Sequence, residues 1–292
     1  MILSASLLAG TACFAASAGI QGTDLMRDGL FVGVGADYNS INLTQNAWGK
    51  GIGDVTTNTG ANTTGIAEGD GAPFNDFTQT FSPEIQVGYF RHFPGTQNLY
   101  GFKFFWQYLG ATATNPNYYI PQVGTSTNNN TGDVSALFGW VNVDSIQITT
   151  NHEFGLLAFV GQSFGSKYFY VGAGPSLINI QSKNYYAIGY AEIDGATVDM
   201  TGLVSYASPS MWILGGTAQL GMTYFISPTW FLDISYNYTV SGSRTVHHQQ
   251  TYSNTSTIGS TTYTSTGTLY TKNILRLHDQ SVRLSINKVF DI

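Results

Sequence analysis

Tyr100-Gly-Phe-Lys-Phe-Phe-Trp-Gln-Tyr108 places an aromatic ring at every second position. Tyr100, Phe102, Phe104, Trp106 and Tyr108 alternate with Gly101, Lys103, Phe105 and Gln107. A period of two belongs to a β-strand, whose side chains point to opposite faces in turn. In a soluble barrel the larger apolar residues would face inward. Here the rings gather on one face while Lys103 and Gln107 take the other, so the ringed face is expected to meet lipid.

The same alternation recurs on both sides of this stretch. Leu30, Val32, Val34, Ala36 and Tyr38 oppose Phe31, Gly33, Gly35, Asp37 and Asn39. Phe81, Pro83, Ile85, Val87 and Tyr89 oppose Ser82, Glu84, Gln86 and Gly88. Downstream, outward faces are expected for Phe154 to Val160, Phe169 to Leu177, Trp212 to Met222, Trp230 to Tyr238 and Val282 to Phe290. Each segment has about the 9–11 residues that a tilted strand needs to cross a bilayer. Lipid-exposed sheet edges would leave backbone groups unpaired in hydrocarbon, so the sheet must close. The expectation is an all-β, transmembrane, antiparallel up-and-down β-barrel of eight strands, with ten as the alternative count.

The connections support this. Arg91 to Asn98, Gly161 to Lys167 and Phe225 to Thr229 are short and carry Pro94-Gly95, Gly165-Ser166 and Ser227-Pro228. Asn42 to Thr80, Gly110 to Asn151, Gln181 to Ser210 and Ser241 to His278 are long and rich in Asn, Thr, Ser and Gly. Short periplasmic turns and long extracellular loops are the pattern of outer-membrane barrels. The long connections keep β-like texture around Val134 to Asp144 and on both sides of Asp194-Gly195, a hairpin dipeptide. Strand pairs are therefore expected to extend above the membrane. Thr251 to Thr271, low in complexity and rich in Ser and Thr, is expected to be a mobile loop tip.

Composition excludes several classes. Charged residues are 10% of the chain, against roughly 25% in soluble domains. Net charge is −6 with no basic run, so nucleic acid is not an expected partner. Residues 1–18 read as a signal peptide ending in Ala16-Ser17-Ala18, although the positive leader segment is missing. Residues 19–28 then form a short periplasmic segment, and 29–292 the barrel. Cys13 lies in the leader, so the mature chain offers no thiol chemistry.

Two sets of residues stand out. Tyr89, Tyr100, Tyr224, Trp230 and Phe290 are expected to form an aromatic girdle at one interface. Tyr38, Phe81, Trp106, Tyr108, Trp212 and Tyr238 would form the other. Asp37, Glu84, Lys103, Asp233 and Arg283 fall on the inward face as a lumen ion network, with Arg283 expected to pair with Asp37 and Asp233. Buried charges must be paired, so the network is either a structural plug or a gated polar path.

Motifs suggesting chemistry are weak. Gly161-Gln-Ser-Phe-Gly165 matches G-x-S-x-G, but it lies on a short turn rather than a strand-to-helix elbow. Gly33-x-Gly35 and Gly172-x-Gly174 precede no helix, so they read as room for larger neighbours. The adjacent His247 and His248 would face opposite ways, as would His278 and Ser281. No catalytic, metal or cofactor set is expected, and the chain is not read as an enzyme.

Gly221-Met-Thr-Tyr-Phe-Ile-Ser-Pro-Thr-Trp-Phe-Leu-Asp-Ile-Ser-Tyr-Asn-Tyr238 resembles the sixth-to-seventh strand hairpin of OmpA/OmpX-like and OmpW-like outer-membrane barrels. Tyr170-Val-Gly-Ala-Gly-Pro-Ser176 and Gln280-Ser-Val-Arg-Leu-Ser-Ile-Asn-Lys-Val-Phe290 are similar to their fifth and last strands. Such proteins usually end on the aromatic that the assembly machinery reads. Here Asp291-Ile292 follow Phe290. The resemblance implies a surface protein of the bacterial outer membrane, a barrel scaffold presenting long loops for structural or binding roles. The alternatives are a small pore or conduit for small or apolar solutes, and a lipid-modifying enzyme. Expected partners are outer-membrane lipid and lipopolysaccharide, the barrel-assembly machinery through the C-terminal strand, and a host or phage ligand at the loops.

Overall fold

The computed structural model describes residues 28–193 and 195–290. The leader, residues 19–27, Asp194 and Asp291-Ile292 lie outside the described residues. All the regular elements described are strands: β1 (Gly29–Thr57), β2 (Asn62–Asp70), β3 (Phe74–His92), β4 (Asn98–Asn128), β5 (Val134–Phe164), β6 (Lys167–Ile193), β7 (Ala196–Asp199), β8 (Val204–Ala207), β9 (Met211–Ser227), β10 (Trp230–Ser241), β11 (Arg244–Ile258) and β12 (Thr261–Phe290). Antiparallel ladders join β1, β3, β4, β5, β6, β9, β10 and β12 in that order. The ladder from Leu30↔Phe290 to Thr57↔Tyr263 then returns β12 to β1 and closes an eight-stranded ring.

The strands are longer than a bilayer requires. β4 and β5 each have 31 residues, about three times a membrane-spanning strand. Their upper parts stand outside the membrane and, with β2, β7, β8 and β11, form an extracellular storey. There β2 bridges β1 and β4, β11 pairs with β12, and β7 and β8 pair with β6. The additional strands enlarge this storey and leave the membrane ring at eight.

Both faces of the wall change character at one level. Along β12 the inward residues are mainly apolar at Leu269, Leu275 and Leu277, with Thr271 and Asn273 between them, polar from Asp279 to Asn287, then apolar again at Val289. Its outward face runs from Thr264 to Gln280 in polar and mixed residues, then becomes Val282, Leu284 and Ile286. On β1 the same exchange occurs between Asn39 and Ile41 inside, and between Tyr38 and Ser40 outside. Tyr38 pairs with Val282 and Ser40 with Gln280, so the two changes share one height. Water above that height demands an apolar interior, and lipid below it demands an apolar exterior.

Thr251 to Thr271 is not a mobile tip. It belongs to a hairpin, laddered from Arg244↔Leu275 to Ile258↔Thr261, that turns at Gly259 with φ +60°. The Thr-rich outer face suits a strand exposed to water. The inner face holds Tyr263 and Leu269, both buried. Low complexity on the outer positions concealed this periodicity.

Candidate functional site

The barrel interior is stacked in three layers, each built from inward positions of the strands. The periplasmic floor is apolar: Phe31, Phe90, Leu99, Phe159, Tyr168, Tyr170, Phe225, Phe231 and Val289 pack as one cluster. Phe31 meets Phe231 at 5.4 Å in an edge contact, and Phe90 meets Tyr168 at 5.7 Å. The inward face is therefore not limited to small and polar residues. Inward glycines make room for these rings and for Phe105 above them, since a Cβ on Gly88 would strike Phe31, one on Gly101 would strike Phe159, and one on Gly155 would strike Phe105.

The middle layer holds the charges. Arg283 Nη2 lies 2.7 Å from Asp37 Oδ2, and its Nε donates to Asp37 Oδ1 at 2.9 Å. Arg283 Nη1 lies 3.2 Å from Glu84 Oε1, and the guanidinium sits over the Phe105 ring at 4.3 Å. Lys103 reaches across the lumen to Asp233, 3.7 Å away, and donates to the Tyr170 hydroxyl at 3.1 Å. Tyr170 and Thr223 in turn donate to Asp233 at 2.9 Å. All five expected network residues thus meet in the lumen, but as two groups. Arg283 pairs with Asp37 and Glu84, not with Asp233. The reason is positional: Asp233 lies level with Thr223 and Ser285 along the wall, where Tyr170 and Lys103 meet it from other strands.

The sequence reading missed Tyr170 and Glu153. Glu153 is buried and accepts from Gln107 at 2.6 Å and Thr239 at 3.1 Å. Its parity was available, because it continues the inward row of Gly155, Leu157 and Phe159. Around these groups Gln86 donates to Ser285 and Asn287, each at 2.7 Å, and Gln219 donates to Ser235 at 2.8 Å. Arg283 and Asp37 have side chains 0% exposed. The roof is a second apolar cluster, including Ile41, Leu43, Leu109, Ile146, Ile148, Ile178, Leu275 and Leu277.

Outside the barrel, the sequence-derived girdle residues all lie on the outward face, with Tyr89 and Trp106 half-buried among their neighbours. Tyr38 and Phe81 contact at 5.0 Å on the extracellular side, and Phe81 is 77% exposed. On the periplasmic side Lys288 Nζ lies 5.6 Å from the Trp230 ring centre and 5.4 Å from that of Phe290, a cation over the rim aromatics.

The extracellular storey encloses a cup of about 240 Å³. Val141, Leu269, Ala67, Gln122 and Thr201 are among its buried members, while Ser135 and Glu192 stand at its exposed rim. Gln122 is 7% exposed, and its Nε2 has no hydrogen-bond partner. At Gly51 an added Cβ would meet only Gln122 Oε1, at 3.9 Å, so the cup is open there. Burial and nearby Asp54 push the Tyr252 phenol at its wall up to about 12, which keeps it a neutral donor at pH 7. No group of three His, Cys, Asp or Glu side chains among the described residues could hold a metal ion.

Ser163 of the G-x-S-x-G stretch is the penultimate residue of β5, beside the turn at Gly165. Its hydroxyl lies 3.2 Å from His92 Nε2 and 2.9 Å from the Gln97 carbonyl. His92 Nδ1 lies 2.5 Å from Asp28 Oδ1. A serine, an imidazole and a carboxylate that the sequence did not connect are thus brought together at the periplasmic rim.

No protein-family model matches the chain, and no curated protein sequence is similar to it. Solved structures that it resembles include Neisserial surface protein A, with TM-score 0.32, 11% identity and coverage of 86% of this chain and 97% of that one. Ail, the attachment invasion locus protein of Yersinia pestis, gives 0.24, 11%, 83% and 98%. The outer membrane protease OmpT from Escherichia coli gives 0.29, 8%, 88% and 97%. Similarity this low assigns no activity. The lipid-facing apolar belt, the closed ring and the one-sided short turns make the chain an outer-membrane β-barrel with an extracellular storey.

Proposed function

We propose that the protein is a non-conducting surface scaffold whose extracellular storey binds a ligand. One observation carries this reading: Arg283 fills the middle of the lumen, fully buried against Asp37, Glu84 and Phe105. Interiors of eight-stranded barrels are just filled by side chains, and here apolar layers also lie above and below the charges. The arrangement supports a structural plug over a gated path, and an OmpA/OmpX-like scaffold over an OmpW-like conduit. Function then resides in the part standing in water, held rigid by the ladders beneath it.

The cup is the candidate binding region. Its buried wall combines apolar residues with a few polar groups, Gln122 and Thr201 among them, and its rim is polar, the usual character of a small-molecule site. Lower down, His278 and Arg276 share the outward face of β12 just above the lipid boundary, with Lys272 further up the same face. That position suits the phosphates of lipopolysaccharide. The test is conductance of the folded protein in planar bilayers. The reading expects no steps at either polarity, and steady single-channel current would overturn it.

A further inference from the structure

The periplasmic rim carries an arrangement that the scaffold does not need. Asp28 immediately precedes β1, His92 ends β3 and Ser163 lies one residue from the end of β5, so three chain-distant elements deliver them to one place. The Asp28 carboxylate holds the histidine from two sides. Its Oδ1 faces the ring Nδ1 at 2.5 Å, and its Oδ2 accepts the His92 backbone N–H at 3.1 Å. A carboxylate at Nδ1 favours the tautomer with the proton there, leaving the Nε2 lone pair toward Ser163 Oγ, 3.2 Å away. Nucleophile, base and orienter therefore stand in the order that acyl transfer requires.

We propose that Asp28, His92 and Ser163 form a hydrolytic site for small, neutral carboxylic esters at the periplasmic rim. Ser163 is 7% exposed, which admits a short acyl carbonyl and little more. The Asp28 carboxylate repels anionic substrates. In the acylation step Ser163 Oγ forms a bond to the ester carbonyl carbon as its proton passes to His92 Nε2. The tetrahedral adduct then breaks its bond to the alcohol oxygen, which takes that proton and leaves. Water repeats the sequence: His92 removes its proton, the hydroxyl oxygen bonds to the acyl carbon, and Ser163 departs with the proton as the carboxylic acid is released. No oxidant, metal or cofactor enters the balance. Before attack, the Ser163 hydrogen must turn from the Gln97 carbonyl to Nε2, a rotation about one single bond. General-base assistance of this kind contributes about 10²–10⁴-fold.

The experiment uses the folded protein in lipid nanodiscs, treated with a fluorophosphonate probe and, separately, with p-nitrophenyl acetate. The expected result is a probe adduct on Ser163 by peptide mass spectrometry, together with ester turnover. Ser163→Ala removes both. His92→Gln slows adduct formation by about 100-fold, while the unheated gel band stays that of a folded barrel. Asp28 lies outside the ladders, so Asp28→Asn carries the comparison should His92→Gln fail to fold, with slowing of about tenfold or more expected from the misset tautomer. An unmodified Ser163 in the folded wild type overturns the proposal. So does equal labelling in the wild type and the folded variants, which would make the three residues a clamp between turns. The conductance test of the scaffold is independent of either result.

Discussion

Arg283 and Asp37 face each other on β12 and β1 as a cross-strand pair and are joined by two near-parallel hydrogen bonds, Nη2 to Oδ2 at 2.7 Å and Nε to Oδ1 at 2.9 Å. The planar guanidinium matches the carboxylate in this geometry, which lysine could not reproduce. Glu84 on the next strand takes the remaining side of the cation.

Removing one member of such a pair should leave an uncompensated charge in the lumen. Arg283→Ala is expected to destabilise the barrel by roughly 3–5 kcal/mol in urea titrations. Combined with Asp37→Asn, the loss should be smaller than the sum of the separate losses, because the side chains touch. Combined with Asp233→Asn, the two losses should come closer to additive, since Asp233 bonds to Tyr170 and pairs with Lys103 instead. Equal coupling in the two cycles would refute the division into two groups.

The lipid-facing register can be tested at Phe104, which is exposed between Phe102 and Trp106. Phe104→Arg near the middle of the belt should cost about 2–4 kcal/mol and impair assembly. Phe104→Leu should assemble normally. Assembly of the arginine variant at wild-type yield would place this face elsewhere than lipid.

Protease on intact cells should cut the β11–β12 hairpin at its turn and spare its strands. Ile258 and Thr261 flank the turn, and ladder pairing begins directly beside it. A broad-specificity protease is expected to nick near Gly259-Ser260 and leave the unheated folded band in place. Cleavage scattered from residue 251 to 271 would mean that the hairpin is open in solution.

The cup should take up a small neutral molecule with one hydrogen-bond acceptor, since Gln122 Nε2 is buried there without a partner. An apolar cavity of about 150 Å³ accommodates benzene, so a substituted ring fits 240 Å³. Fluorine NMR of 4-fluoroacetophenone with nanodisc-embedded protein should show saturable binding beyond lipid partition. Gly51→Leu fills open space and should abolish it. Gln122→Leu should weaken it about three- to tenfold, by the worth of one hydrogen bond. Identical signals from the wild type and Gly51→Leu would show that the molecule is elsewhere.

Much of the membrane part could be read from sequence because lipid imposes a period-two rule on every strand. Phe102 and Lys103 already disclose opposite faces, and the ring confirms that assignment. The partners of inward charges could not be read in the same way. Neighbouring strands suggested Arg283 with Asp37, whereas Lys103 and Asp233 meet across the lumen, a distance that strand order does not encode. The extracellular storey was obscured for another reason: with water outside, its exterior is Thr, Ser and Asn, a composition shared with loops. Asp28, His92 and Ser163 were hidden more deeply, since each looks like an ordinary residue at a strand end and only the registers of the β1–β3, β3–β4 and β4–β5 ladders bring them together.

The ladder between β1 and β12 has a kinetic consequence. It unites residues 246 positions apart, Asp37 with Arg283, so its loop-closure entropy must be met before those contacts form. Until then both terminal staves are raw edges, and Asp37 and Glu84 lack their cation. Pairing the edges, neutralising the carboxylates and shutting the lumen thus belong to one late step. A chain arrested before it would be a curled sheet, leaky and exposed to edge-to-edge association, and a chain past it has every stave held from both sides.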